Sequence, residues 1–267
     1  MKMVALLLAC ATTLIAADEP KYQSSPERRT IVETRDWGPW GGPFRERLIP
    51  ALMRDFGERY LYAEANARLR PPASNEQRVV FLGDSITDGW DLAAAFPGKP
   101  YVNRGIGAQV TAQMLLRFEQ DVVALKPAAV VILGGTNDVS GFFQVETPET
   151  ILANFTAMAD IADARGIRVV LCALLPVNDY GENRAYMTKE RPPATLRAVN
   201  DKLQELAASR GYVFADYAKP LADERGMLID AFTGDGLHPN AAGYARMTPV
   251  VRAAIADVLS RPARTPR

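Results

Sequence analysis

The 267-residue chain predicts a three-layer α/β/α fold, with a central, mostly parallel five-stranded sheet and helices on both faces. Two observations predict this α/β class. Five short apolar runs alternate with longer stretches of helical periodicity, and such alternation places strands side by side and parallel. The run Ala128–Leu133 is continuously apolar and rich in β-branched residues, as expected of a strand buried on both faces.

The elements follow in order. Residues 1–17 read as a signal peptide: Lys2 is the only charge before Asp18, Met3–Ile15 is almost wholly apolar, and Ala16-Ala17 offers a cleavage point. The run is short for a membrane span, which takes ~20 apolar residues. A secreted or periplasmic protein is therefore expected; the alternatives are a buried N-terminal helix or lipoprotein anchoring at Cys10. Residues 18–76 form an N-terminal extension expected to pack on the core. It contains Trp37 and Trp40, then a helix over about Arg45–Arg68 with Leu48, Leu52, Phe56, Tyr60 and Ala63 on one face, stopped by Pro71-Pro72. The main domain spans 77–260. Its strands are expected at Arg78–Leu82, Tyr101–Asn103, Ala128–Leu133, Ile167–Ala173 and Tyr212–Asp216. Its helices are expected at Thr111–Leu125, Thr150–Arg165, Thr195–Arg210 and Ala241–Leu259. Residues 176–193 read as a long polar loop, and 261–267 as a disordered tail.

Composition narrows the partners. Lys+Arg and Asp+Glu both number 31, so nothing favours nucleic acid or an anionic membrane. With Cys10 removed, Cys172 alone remains, too few thiols for a disulfide or a Cys zinc site. The single histidine, His238, excludes any metal site needing two imidazoles from one chain. No metal and no cofactor are expected.

Four blocks carry the chemistry. Gly83-Asp84-Ser85-Ile86-Thr87 follows the first strand, at the end of the sheet where such folds bind ligands. Taken alone, Ser85 could be a turn or helix-capping serine. Asn103-Arg104-Gly105-Ile106-Gly107-Ala108-Gln109 follows the second strand, and its glycines let the backbone approach a ligand. A dinucleotide-binding reading fails there, because Val110 occupies the third small position and Gly134-Gly135 stands where an acid is needed. Gly134-Gly135-Thr136-Asn137-Asp138 offers Asn137 as a neutral donor for an oxyanion, or as a turn residue. In Asp235-Gly236-Leu237-His238-Pro239 the spacing lets the carboxylate reach one imidazole nitrogen while the other faces a cleft. If a Ser–His mechanism operates, its base can only be His238. A Gly-x-Ser-x-Gly elbow is absent, since Thr87 stands at its second glycine.

In this order the four blocks resemble the SGNH hydrolases, also called GDSL-type lipases and esterases. They are similar above all to the branch of platelet-activating-factor acetylhydrolase subunits and microbial acetyl esterases. The resemblance spans roughly Gln77–Val258. It implies a flavodoxin-like sheet, Ser85 as nucleophile and Asp235 and His238 as acid and base. It implies an oxyanion hole from the Ser85 N–H, the Asn137 amide and a backbone N–H of the second block. That last position normally holds glycine and is Ala108 here, with Gly107 as the alternative. Alanine keeps the N–H, but a positive φ would strain it. The expected substrates are small-molecule or carbohydrate esters, short-chain or O-acetyl, with no nucleic acid and no stable membrane insertion. The alternatives are a lysophospholipase or thioesterase-like hydrolase, or a non-catalytic carbohydrate-binding protein. Trp37, Trp40, Trp90, Tyr180 and Tyr186 could contact substrate or simply fill the core.

Overall fold

The structure, a computed structural model, describes residues 43–181 and 184–262. The expected signal peptide, Trp37, Trp40 and the tail from residue 263 lie outside the described residues. Five strands, β1 (Val79–Gly83), β2 (Tyr101–Gly105), β3 (Ala129–Leu133), β4 (Arg168–Cys172) and β5 (Val213–Ala215), pair in the order β2-β1-β3-β4-β5. All four pairings are parallel.

The pleat sends alternate side chains to opposite faces, and the two faces feed two cores. Val80, Leu82, Val130, Ile132, Val169 and Leu171 pack with Ile151, Phe155 and Met158 of helix Pro148–Ala164 and with Leu196, Val199 and Leu203 of helix Pro193–Arg210. Val79, Phe81, Val131, Leu133, Val170 and Cys172 pack with Met247, Val251, Ile255 and Val258 of helix Ala241–Ser260. Full burial of each such aliphatic or aromatic side chain contributes roughly 1.5–3 kcal/mol. No described helix is long and apolar enough to cross a membrane.

Register positions the site. Gly83 pairs with both Gly105 and Leu133, so β1, β2 and β3 end level and their following loops emerge together. The strand order reverses between β1 and β3, which opens a crevice at their carboxyl ends.

Three expected segments differ. The stretch 45–68 is two helices, Pro43–Arg54 and Tyr60–Arg68. Between them Glu58 takes φ +52, and Asp55 Oδ2 accepts from the Arg59 N–H at 2.9 Å, so the chain breaks and restarts. The expected apolar face is accordingly lost, leaving Tyr60 53% exposed. The stretch 111–125 is broken into Thr111–Leu116, Phe118–Asp121 and a 3₁₀ turn at Val123–Leu125. Its first break falls at Arg117, whose side chain turns inward to the strand ends. The loop 176–193 contains a short helix, Met187–Glu190.

Candidate active site

The Gly83–Thr87 block folds around tight contacts. A Cβ at Gly83 would lie 2.1 Å from Thr87 Oγ1 and 2.6 Å from the Leu133 carbonyl, so only glycine lets the next turn sit this close to the sheet. Asp84 Oδ1 accepts from the Ile86 N–H at 2.9 Å and starts the short helix Ser85–Asp88. Ser85 is the first residue of that helix, level with the ends of β2 and β3.

The Asp235–Pro239 block is a closed turn. Gly236 has φ +86, and a Cβ there would lie 2.4 Å from the Asn178 carbonyl. Thr233 Oγ1 donates to the His238 carbonyl at 2.8 Å and accepts from the Gly236 N–H at 3.0 Å. Asp235 Oδ1 accepts from the N–H groups of Leu237 and His238 at 2.9 and 2.8 Å. Asn240 then caps the closing helix. The Tyr244 hydroxyl of that helix donates to the Ile86 carbonyl at 2.8 Å, tying the two blocks together.

The result is a continuous line of three side chains. Ser85 Oγ lies 2.9 Å from His238 Nε2, and His238 Nδ1 lies 2.6 Å from Asp235 Oδ2. Burial works against the charge on Asp235. The imidazole and the two backbone N–H groups outweigh it and hold the carboxyl well below the usual carboxylate range. A hydroxyl, an imidazole and a fixed carboxylate in this geometry can move the serine proton to the imidazole.

The second and third blocks lie beside Ser85. A Cβ built at Gly107 would lie 4.0 Å from the Ser85 Cβ. A Cβ at Gly107 would also lie 3.7 Å from Asp88 Oδ2. The N–H groups of Ala108 and Ser85 meet no acceptor among the described residues. Ala108 has φ +65, so the alanine does sit in the left-handed region. Asn137 lies in helix Thr136–Ser140 and donates one Nδ2 hydrogen to the Gln109 carbonyl at 2.9 Å, which leaves its second for a ligand. The expected site residues are thus brought together, and Ala108 and Gly107 both remain candidates for the backbone donor, since neither N–H meets an acceptor among the described residues.

The expected contact aromatics divide. Trp90 is core, packed 5.9 Å from Phe81 and 6.0 Å from Tyr217, ring centre to ring centre. Tyr186 packs part-buried on the other core. Tyr180 is exposed on the loop after β4, bonded to Asp223 and stacked 4.5 Å beneath the Arg225 guanidinium. Among the described residues no cluster of three or more His, Cys, Asp or Glu could hold a metal.

The chain matches the model of the GDSL-like lipase/acylhydrolase family over residues 81–246. It belongs to that family. A GDSL-like lipase from Bacteroides thetaiotaomicron is 33% identical, with a TM-score of 0.71 over 76% of this chain and 99% of that one. A proposed acylhydrolase from Bacteroides fragilis is 35% identical, with a TM-score of 0.71 over 77% of this chain and 99% of that one. An acetylxylan esterase from Xylanibacter ruminicola is 26% identical over 224 residues, which cover 69% of this chain but 44% of that protein. The GDSL-like family and its fold are those of carboxylic ester hydrolases, which agrees with the expected class of enzyme.

Sequence reasoning passed over two acids of the GDSL-like site, Asp84 and Asp138, both buried. Their only signal was position, one residue from Ser85 and one from Asn137. Burial pushes the Asp84 carboxyl up to about 6 despite the Ile86 N–H, and its Oδ2 has no partner among the described residues. Burial likewise pushes Asp138 up to about 6, although Thr111 donates to it through both N–H and hydroxyl. A carboxyl that keeps its proton to higher pH when folded makes the folded state bind more protons between the two pKa values. Its contribution is therefore fully present below about 4 and lost as pH climbs through about 6, at most ~3 kcal/mol per group. The melting temperature is expected to fall by about 5 °C from pH 4.5 to 7. Asp138→Asn is expected to lessen the fall; thermal scans showing a flat or rising Tm in the wild type would contradict it.

Proposed function

We propose that this protein is a serine esterase that removes short acyl groups, acetyl above all, from carbohydrate esters through an acyl-enzyme on Ser85. The observation that carries the reading is the 2.9 and 2.6 Å line from Ser85 through His238 to Asp235. As Ser85 Oγ bonds to the ester carbonyl carbon, His238 Nε2 takes its proton. Asp235 holds the imidazole in the tautomer that can accept it. The carbonyl oxygen gathers negative charge and accepts hydrogen bonds from the N–H groups of Ser85 and Ala108 and from the Asn137 amide. Each such donor contributes on the order of 10²–10³ in kcat in comparable sites. The tetrahedral species then expels the alcohol, which leaves with the proton from His238. Water attacks the acyl-Ser85 carbonyl by the same route and restores the free serine.

The acetyl-carbohydrate reading is supported by the likeness to the Xylanibacter acetylxylan esterase. The leader expected over residues 1–17 would place the reaction outside the cytoplasm. The test is a panel of acetylated xylo-oligosaccharides beside p-nitrophenyl acetate, butyrate and octanoate. The sugars and the acetate are expected to react fastest, with kcat/KM falling at least about tenfold by octanoate. A kcat/KM that rises with chain length would point instead to a lysophospholipase-like hydrolase.

A further inference from the structure

Ala108 is held at φ +65, a conformation that costs a residue with a side chain, and its N–H is the donor proposed for the oxyanion. Something must hold it there. Before it, the Ile106 N–H donates to the Gly83 carbonyl at 3.0 Å. After it comes Gln109, fully buried and bonded on every side. Its carbonyl accepts from Asn137 at 2.9 Å. Its Oε1 accepts from Arg117 Nε at 2.6 Å. Its Nε2 donates to the Gly57 carbonyl at 3.2 Å and to Glu58 Oε2 at 3.1 Å. Arg117 is itself fully buried and donates to the Gly83 carbonyl at 2.9 Å, the Arg104 carbonyl at 2.8 Å and Asp121 Oδ2 at 3.1 Å.

We propose that Gln109 is a positioning residue for the reaction, clamping Ala108 and Asn137 in place, and that the 55–59 turn is its outer anchor. This turn precedes the residues that match the family model, which begin at 81. One residue thus fixes two of the three oxyanion donors, one through its peptide neighbour and one through its own carbonyl. Arg117 links the clamp to the strand that carries the nucleophile. The inference rests on Ala108 and Asn137 acting as oxyanion donors, as proposed above.

A double-mutant cycle separates clamping from mere stability. In the Ala108 protein, Gln109→Met is expected to lower kcat by about tenfold with KM within about twofold. Glycine adopts φ +65 without strain, so in the Ala108→Gly background the same substitution is expected to cost less than about threefold, whatever that background's own rate. Equal losses in the two backgrounds would overturn the inference and leave the esterase reading standing. Turnover retained by Ser85→Ala would instead remove the reading itself.

Should Gln109→Met fail to fold, the outer anchor decides. Glu58 also has a positive φ, so Glu58→Gly removes the acceptor while easing the turn. It is expected to lower kcat about threefold without lowering Tm, and Glu58→Gln, which keeps an acceptor oxygen, is expected to lose less. An unchanged kcat in Glu58→Gly would overturn the role of the turn.

Discussion

Ser85→Ala is expected to lower kcat on the order of 10⁶-fold, the scale set by removing the nucleophile of a serine hydrolase. His238→Ala is expected to do the same, and the double variant hardly more, because the two groups act as one unit. The reason is local. Ser85 Oγ has the imidazole of His238 at 2.9 Å. His238 is the only histidine in the chain, so no second imidazole can substitute. Folding should be little disturbed, since Ser85 is only part-buried and the Asp84 cap on the Ile86 N–H does not involve it. The measurement is steady-state hydrolysis of p-nitrophenyl acetate together with labelling by a fluorophosphonate. Wild type should be labelled at Ser85 and the variant left unlabelled. Hydrolysis by Ser85→Ala within tenfold of wild type would rule out the acyl-enzyme.

Asp235→Asn is expected to lower kcat on the order of 10⁴-fold. Its Oδ1 accepts two backbone N–H groups, and an asparagine oxygen can replace it there. The amide nitrogen then takes the place of Oδ2, 2.6 Å from His238 Nδ1. Two donors cannot face each other, so Nδ1 must become an acceptor and the proton moves to Nε2. An imidazole with its proton on Nε2 cannot take one from Ser85. The turn stays intact while the chemistry fails, which distinguishes this variant from one that unfolds the loop. The carboxyl is held well below the usual range, so Asp235 remains ionised as pH falls to moderately acid values, and activity lost there is not due to its protonation. A loss below tenfold in Asp235→Asn would show that the carboxylate only shapes the turn.

Much of this was legible from residue types alone. The central strands β1 and β3 announce themselves because a strand covered on both faces must be apolar along its whole length, as Ala129–Leu133 is. The four blocks announce themselves because each needs glycine, a small polar residue or histidine at a fixed spacing. What was hidden depends on partners distant in sequence. Arg117 looks like a solvated cation on a helix, yet it is fully buried because the carbonyls of Gly83 and Arg104 await it, 34 and 13 residues away. Gln109 is hidden for the same reason, since its anchor is the turn at Gly57-Glu58. That turn also explains the misplaced helix. The apolar spacing over 45–68 suits one continuous helix, but Asp55 takes the Arg59 N–H just ahead of the second start, and Gly57 leads into a residue with positive φ. The left-handed angle of Ala108 is not legible in its residue type, because a side chain disfavours it.

The link between Tyr244 and the Ile86 carbonyl has a consequence for how this enzyme comes into being. Ser85 and His238, the proposed nucleophile and base, are 153 residues apart, and the Tyr244 hydroxyl of the helix that follows His238 is bonded beside Ser85. A nascent chain that has emerged only as far as β5 therefore owns a hydroxyl with nothing to activate it. On the proposed mechanism, hydrolytic power waits until the helix Ala241–Ser260 has been made and has docked.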